Sequence, residues 1–311
     1  MIVSIDETHL VSSLGWVDAG TVWVCETRTY QVRQVTLSDA RYLTLHAGTR
    51  DVFAAVHHFD GSRLVLTAHP ATEPERVLSR ITVAHGQTAL DGDAAVWHDL
   101  PRAYTGWYGP PDAGTYCLCL IDARRPTVEV QPLEWYAQTF DVATQGVIGV
   151  TEVPGQPLLL ISVQRDSRPL LYDPRRRAVT GRIGLAGRLG NPVLRFRSRA
   201  PELWASDYDV LLRLDPSDWS IMNAVRLSGA AGGAGTAPRQ FIGEFAFNVD
   251  ESLCVVARPF DGDVVAVEAG SFSVTHRAVT RGRPLDVAVL GDHRVFARDW
   301  QTGELLLTEE T

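Results

Sequence analysis

The chain has 311 residues, of which 45% are hydrophobic and 21% are charged, a composition typical of a folded globular protein rather than a disordered one. Its net charge of −8 argues against binding to nucleic acid through counterion release. No run approaches about 18 apolar residues, and the first residues lack the basic and apolar segments of a secretory signal. We therefore expect no membrane partner and a cytoplasmic location.

All 29 basic residues are arginines. Codon usage in a GC-rich genome accounts for this composition, but the absence of lysine also excludes lysine Schiff-base chemistry and a phosphate-binding P-loop. The four cysteines, Cys25, Cys117, Cys119 and Cys254, lie in apolar runs. They lack the paired spacing of a zinc site, so we expect buried thiols.

A short apolar strand that follows a tight turn recurs seven times along the chain. These launching strands begin at Thr21, Arg63, Thr115, Leu158, Glu202, Leu253 and Arg294. Their starts lie about 40 to 50 residues apart, the period of a β-propeller blade made of several short strands. Sustained helical periodicity is absent, and the pattern therefore predicts an all-β chain.

Each launching strand is predicted to be the second strand of a four-stranded blade. The first strands of six blades are expected at residues 52–58, 104–108, 147–152, 193–197, 242–247 and 285–290. The last blade runs out of chain before its outer strand. We expect the N-terminal run Ile2–Ile5 to supply that strand and close the ring, so that residues 1–311 form a single domain.

Two segments share a strand that ends in Asp-Pro, followed by a turn and a second strand: LLYDPRRRAVTGRIGL at residues 170–185 and LLRLDPSDWSIMNAVRL at residues 211–227. With the repeat, they resemble the seven-bladed β-propellers of the YVTN and tryptophan-aspartate repeat type. The resemblance implies a single seven-bladed ring of four-stranded antiparallel blades and no particular function. The glycine-rich segment 228–239 interrupts the repeat, either as a tolerated insertion or as a lid over one face.

Loops that follow the second strands of a propeller open on the same face as the loops that join the blades. Because arginine and aromatic side chains are enriched in recognition surfaces, this face predicts a site for a protein, a peptide or an anionic small molecule. The candidate binding residues are Arg28, His69, Arg124, Arg165, Asp207, Tyr208, Arg258, Arg298 and Trp300. The blade-joining loops add further polar and aromatic residues, namely His46, Arg50, Asp51, Trp97, His98, Asp99, Arg102, Trp135, Tyr136, Arg188, Asn191, Arg281 and Arg283. The alternative interpretation is that Arg/Asp pairs only brace turns and adjacent blades.

No nucleophile elbow and no catalytic triad spacing is present, and no cofactor is predicted. An alternative function is a metal-assisted lyase or hydrolase at the mouth of a central channel, with a divalent metal held by scattered residues. The positions to consider are His57, His58, His98, Glu152 and Glu244. For His57 and His58, a hydrogen-bonded histidine in the core or channel wall is the competing interpretation.

Overall fold

A computed structural model describes residues 2–5, 8–13, 20–40, 42–47, 51–58, 63–84, 87–92, 103–108, 116–122, 127–132, 147–163, 169–183, 193–228, 241–291 and 294–308. Throughout these residues, every regular element is a β-strand. The prediction of an all-β chain is confirmed. Within the same residues there is no helix with the length and hydropathy needed to span a membrane.

The chain divides into two compact units. Unit 1 comprises Met1–Val142 with Thr302–Leu305, and unit 2 comprises Ala143–Gln301 with Leu306–Thr311. The strands of unit 1 are β1 (Ile2–Ile5), β2 (His9–Ser13), β3 (Thr21–Glu26), β4 (Val32–Thr36), β5 (Tyr42–Ala47), β6 (Val52–His58), β7 (Arg63–Pro70), β8 (Ser79–Ala84), β9 (Gln87–Gly92), β10 (Ala103–Tyr108), β11 (Tyr116–Asp122) and β12 (Thr127–Pro132). They form a first sheet β1–β4, a second sheet β5–β9 and a third sheet β10–β12.

Unit 2 contains four further sheets. Their strands are β13 (Val147–Glu152), β14 (Leu159–Val163), β15 (Leu170–Asp173), β16 (Ala178–Arg182), β17 (Leu194–Phe196), β18 (Leu203–Asp207), β19 (Val210–Leu214), β20 (Ile221–Arg226), β21 (Phe245–Phe247), β22 (Leu253–Arg258), β23 (Asp263–Glu268), β24 (Ser273–Val279), β25 (Pro284–Val289), β26 (Val295–Asp299) and β27 (Leu305–Thr308), the last of which begins at the boundary between the units. The fourth sheet is β13–β16, the fifth β17–β20, the sixth β21–β24 and the seventh β25–β27. In each sheet the strands follow sequence order.

The seven launching segments all form strands, namely β3, β7, β11, β14, β18, β22 and β26. The predicted count of seven four-stranded blades is nevertheless wrong. In the described part of the chain, six sheets have the three or four strands of a blade, and the second sheet has five. The extra strand, β5, pairs with the next segment, β6, across a short connection. Such local hairpins need little loop-closure entropy.

The N-terminal strand does not complete the last blade. β1 pairs antiparallel with β2, and Ile5 stands opposite His9. The predicted pairing of Ile2–Ile5 with the last blade is therefore wrong. A hairpin across the three residues that separate β1 from β2 closes a far shorter loop than a pairing with the C-terminal end of the chain, so the local partner is favoured.

The launching strands are the buried strands of unit 2, and the outermost strands are exposed. Every residue of β22 after Leu253 is buried, whereas no residue of β24 is. The strand β20 is likewise half-buried or exposed along its whole length. Arginine, threonine and asparagine on such outer strands keep the sheet edges polar, which disfavours pairing with other chains.

The hydrophobic core of unit 2 lies between successive sheets. Trp204 of β18 is fully buried against the sixth sheet, with its ring centroid 4.7 Å from that of Phe272 and 5.1 Å from that of Phe247. A second cluster joins β22 and β23 to β25 and β26 through residues such as Val255 and Val287. Sheets that stack face to face in this way bury both faces of the launching strands, which explains their continuous apolar sequences.

Candidate functional site

Two of the predicted binding arginines are internal braces. Arg258 is the last residue of β22 and only 3% exposed. Its Nε and Nη2 donate to the two carboxylate oxygens of Asp263 at 2.7 and 2.6 Å, and its Nη1 donates to the carbonyl oxygen of Leu227 at 2.5 Å. Asp261 lies 3.1 Å from the same guanidinium. This bidentate geometry fixes the turn between β22 and β23.

Arg298 has a similar position in the seventh sheet. It is 1% exposed, and its Nε donates to Asp286 Oδ2 at 2.5 Å across the pair of strands β25 and β26. For Arg258 and Arg298 the prediction of loop residues available to a ligand is wrong, because both side chains are buried at strand ends. The interpretation that Arg/Asp pairs brace turns holds for these two residues.

His69 also lies inside a strand, β7, rather than in the loop after it. The side chain is buried and stacks on Phe53 with 5.3 Å between ring centroids. Its Nδ1 is 2.8 Å from the carbonyl oxygen of Pro74, and its Nε2 is 2.6 Å from Thr67 Oγ1. Burial lowers the pKa of His69 to about 4, so the ring is neutral at neutral pH.

The same threonine joins His69 to His57. His57 is buried, with Nε2 2.6 Å from Thr67 Oγ1 and Nδ1 2.7 Å from Ser38 Oγ. Since a carbonyl oxygen only accepts, His69 Nδ1 carries the proton and its Nε2 accepts from Thr67. Thr67 then accepts from His57 Nε2, and Ser38 donates to His57 Nδ1. Both nitrogens of His57 are thus used in hydrogen bonds, as the core interpretation predicted.

Trp300 follows β26 and belongs to a surface cluster of three rings with Phe241 and Phe260. The ring centroids lie 5.0 Å apart for Phe241 and Phe260, and 5.8 Å apart for each of the two pairs with Trp300. All three contacts are edge-to-face, the geometry that aromatic quadrupoles favour. Phe260 is 44% exposed, and the other two side chains are half-buried.

Backbone hydrogen bonds hold the turns of this region together. The amide of Ile242 donates to the carbonyl oxygen of Tyr208, that of Thr280 to Gly262, and that of Trp300 to Arg283. We call the residues 207–209, 241–242, 258–263, 280–283 and 299–300 the aromatic turn cluster. Gly282 is required there, since a Cβ at this position would overlap the carboxylate of Asp299.

The predicted residues Asp207 and Tyr208 lie at one side of this cluster. Tyr208 has a φ of 51°, so the turn between β18 and β19 is a tight one. Burial raises the pKa of Asp207 above its ordinary value, and the nearby charge of Asp209 raises it further. Asp209 is itself hydrogen-bonded to Ser228, at 2.5 Å from the hydroxyl oxygen. The turn thus presents one carboxyl group with a weakened tendency to ionise.

Other predicted residues lie elsewhere. Arg28 is exposed in the turn between β3 and β4 of unit 1. Arg124, Arg165 and His98 lie outside the described residues, as do residues 229–239 of the glycine-rich segment, and so does the side chain of His58. These positions stay predictions.

The metal-site alternative gains no geometric support from the described part of the chain, which contains no group of three or more His, Cys, Asp or Glu side chains able to hold an ion. Glu244 is paired with Arg195, whose Nη2 donates at 2.7 Å. Glu152 is exposed at the end of β13. A metal at His57 would have to replace its hydrogen bonds to Ser38 and Thr67.

Sequence reasoning found Trp300 but not its two partners. Phe260 lies two residues after the selected Arg258, and Phe241 follows the glycine-rich segment. An exposed phenylalanine between Pro259 and Asp261, in a turn where polar residues are the rule, is the signal that was available for Phe260.

The chain is similar to β-propellers of known structure. It matches the β-propeller domain of Cps50 (Swd1) from Myceliophteria thermophila with a TM-score of 0.65 and 15% identity, over 100% of this chain and 95% of that one. It also matches a chain in the crystal structure of a mitotic checkpoint complex with a TM-score of 0.65 and 10% identity, over 100% of this chain and 86% of that one. No family model and no curated protein matches the sequence. At these identities the likeness shows the fold alone, and that fold is an all-β propeller.

Proposed function

We propose that this chain is a recognition module and that a protein or peptide partner binds at the aromatic turn cluster of unit 2. The observation that carries the proposal is the contact between Phe241, Phe260 and Trp300 at the surface. Aromatic side chains with few rotatable bonds offer a large apolar contact area at low entropic cost, and they are enriched among the residues that dominate binding energy.

The surroundings of the rings favour recognition over a purely structural role. Phe260 keeps 44% of its surface exposed. The backbone that carries it is fixed by the buried pair of Arg258 and Asp263, so the ring is presented on a rigid turn. A rigid, pre-organised surface loses little entropy on binding.

The fold supports the same function by analogy. One of the similar propellers was solved within a mitotic checkpoint complex, and was therefore observed in a complex of several components. Fold likeness alone does not assign a function, so the argument depends on the aromatic turn cluster.

Site-specific photo-crosslinking tests the proposal. The photoreactive p-benzoylphenylalanine replaces Phe260 in the full chain, and the protein is irradiated in its native host. We expect one adduct of defined mass, which disappears when Trp300→Ala is added. Replacement of Tyr30, also aromatic and 44% exposed but located in unit 1, is the matched control and should not give that adduct. Equal adducts from both positions, or none from position 260, would reject the proposed face.

A further inference from the structure

Many of the described arginines of unit 2 form ion pairs with carboxylates, but the two in the 280–283 turn of the aromatic turn cluster do not. The pairs include Arg195 with Glu244, Arg197 with Glu202 and Glu251, Arg213 with Glu202, Arg226 with Asp209, Arg258 with Asp261 and Asp263, Arg277 with Asp263, and Arg298 with Asp286. Arg281 and Arg283 are exposed and have no ion pair among the described residues. In a chain with a net charge of −8, two adjacent uncompensated guanidinium groups are a local reversal of charge.

The turn that carries these arginines is joined by backbone hydrogen bonds to the turns of Phe260 and Trp300. The turn that carries them is bonded on one side to the Phe260 turn, through the amide of Thr280 and the carbonyl oxygen of Gly262 at 2.8 Å. On the other side the amide of Trp300 donates to the carbonyl oxygen of Arg283, also at 2.8 Å. Between the two arginines, a Cβ built at Gly282 would overlap Asp299 Oδ2, and the amide of Arg283 donates to that oxygen at 2.6 Å, so the carboxylate of Asp299 lies against this turn.

The carboxylates nearest to the turn are already used. Asp299 is buried and accepts from the backbone amides of Arg283 and Gln301 at 2.6 and 2.7 Å. Asp263 is shared by Arg258 and Arg277. Among the described residues, no carboxylate is left to accept from the guanidinium groups of Arg281 and Arg283.

One more apolar side chain extends the surface. Val279 is 83% exposed at the end of β24, where it stands opposite Asp263 in the register. The surface therefore combines an apolar centre of Phe260, Trp300 and Phe241 with Val279 and two free cationic groups at its border. At binding hot spots of this kind, an apolar side chain of the partner is buried at the centre of the surface, and polar contacts surround it.

We infer that the ligand of the aromatic turn cluster is an acidic peptide segment, in which an aliphatic or aromatic side chain contacts the rings and flanking carboxylates pair with Arg281 and Arg283. The inference rests on the proposed function and specifies the chemistry of the partner. Arginine offers bidentate donors to carboxylates. A single-stranded nucleic acid also stacks on rings, but the net charge of −8 opposes a polyanion with many phosphates.

Fluorescence anisotropy with defined probes tests the inference on the purified full chain. The acidic peptide GEEFEEG, labelled with fluorescein, is compared with GKKFKKG, with GEEAEEG and with a labelled dT12 oligonucleotide. We expect saturable binding of the acidic peptide with phenylalanine at its centre, weaker by about tenfold when either its anchor or its carboxylates are replaced. Binding should weaken as salt is raised, because the surface ion pairs are screened.

Variants assign the binding to named residues. Arg281→Ala and Arg283→Ala should each lower the affinity for the acidic peptide about tenfold, and so should Phe260→Ala. Arg175→Ala is the matched control: it removes an exposed arginine at the opposite end of the strands, in the β15–β16 turn, and should leave binding unchanged. Thermal unfolding of each variant checks that its fold is intact.

The outcomes separate this inference from the proposed function. Equal binding of the acidic and basic peptides, preference for dT12, or binding that Arg281→Ala and Arg283→Ala leave unchanged would overturn the acidic-peptide inference. A crosslinked partner at position 260 would still support recognition at this face in each of those cases. Loss of both the crosslink and the peptide binding would reject the face itself.

Discussion

The buried histidine His69 predicts a defined loss of stability at acidic pH. Its pKa falls from 6.5 to about 4 on folding because the ring is buried. The unfolded chain therefore binds more protons than the folded chain between these two values, and stability contributed by the neutral ring is present above pH 6.5 and lost as the pH falls to 4. A shift of this size corresponds to about 3 kcal/mol.

The hydrogen bonds explain why protonation is unfavourable. A proton on His69 Nε2 would turn an acceptor for Thr67 into a donor, and the hydroxyl hydrogen of Thr67 would lose its partner. The test is urea unfolding of the wild type and of His69→Gln at pH 7.5, 6, 5 and 4, followed by tryptophan fluorescence. We expect the stability advantage of the wild type to shrink by about 3 kcal/mol between pH 7.5 and 4.

Comparison between two variants cancels the other titrating groups, such as His46, whose pKa burial also lowers to about 4. His276→Gln replaces an exposed histidine on β24 and is the matched control, for which we expect no comparable change. If the free energy of unfolding changed equally with pH in the wild type and in His69→Gln, the assignment of a neutral, buried His69 that is hydrogen-bonded to Thr67 would be refuted.

Three further substitutions test buried or close contacts of unit 2 by urea unfolding. Arg258→Ala leaves the buried Asp263 with only the more distant Arg277, at 3.5 Å, and should cost about 3 to 5 kcal/mol. Arg258→Lys should give little rescue because an ammonium cannot form the fork, and a cost below about 1 kcal/mol for Arg258→Ala would contradict a buried pair. Glu251→Gln should cost about 1 to 3 kcal/mol at neutral pH, since the carboxylate accepts from the amides and hydroxyl of residues 198–199. Burial opposes ionisation, but these bonds hold the pKa of Glu251 below its ordinary value. The stability difference from the wild type should therefore narrow as the pH falls and Glu251 is protonated, and a constant difference would argue against this cause. Gly282→Ala should cost about 1 to 3 kcal/mol through overlap with Asp299, whereas Gly270→Ala, where a Cβ meets nothing, serves as its control.

The strands were predictable because their signals are local. Each launching strand is an apolar run bounded by turn residues, and the two Asp-Pro segments fold as the expected strand, turn and strand, β15–β16 and β19–β20. In the first of them, Asp173 Oδ1 accepts from the amides of Arg175 and Arg176, which fixes the turn after the strand. The pairing of Ile2–Ile5 was not predictable from the count of strands, because a local hairpin competes with closure of the ring and both partners are apolar.

The site was predicted in part, and the errors have one physical origin. Arg258 stands opposite Asp263 and Arg298 pairs with Asp286 across neighbouring strands. If the predicted end of a strand is wrong by one residue, an arginine assigned to a loop in fact lies inside the sheet. There it can be buried together with a carboxylate on the neighbouring strand. The aromatic contacts join residues as distant in sequence as Phe241 and Trp300. Hydrophobic periodicity is a local pattern and cannot predict contacts between residues so far apart.

The arginines of unit 2 have two different physical roles. Arg258 directs two nitrogens at one carboxylate and makes a third bond to Leu227, a planar fork that lysine cannot form. Buried arginines of this kind fix the turns that carry Phe260 and Trp300. Arg281 and Arg283 lie on the neighbouring 280–283 turn and have no ion pair among the described residues. Arginine therefore both holds this surface rigid and leaves it charged, and only the contacts of each arginine with its neighbours distinguish the two roles.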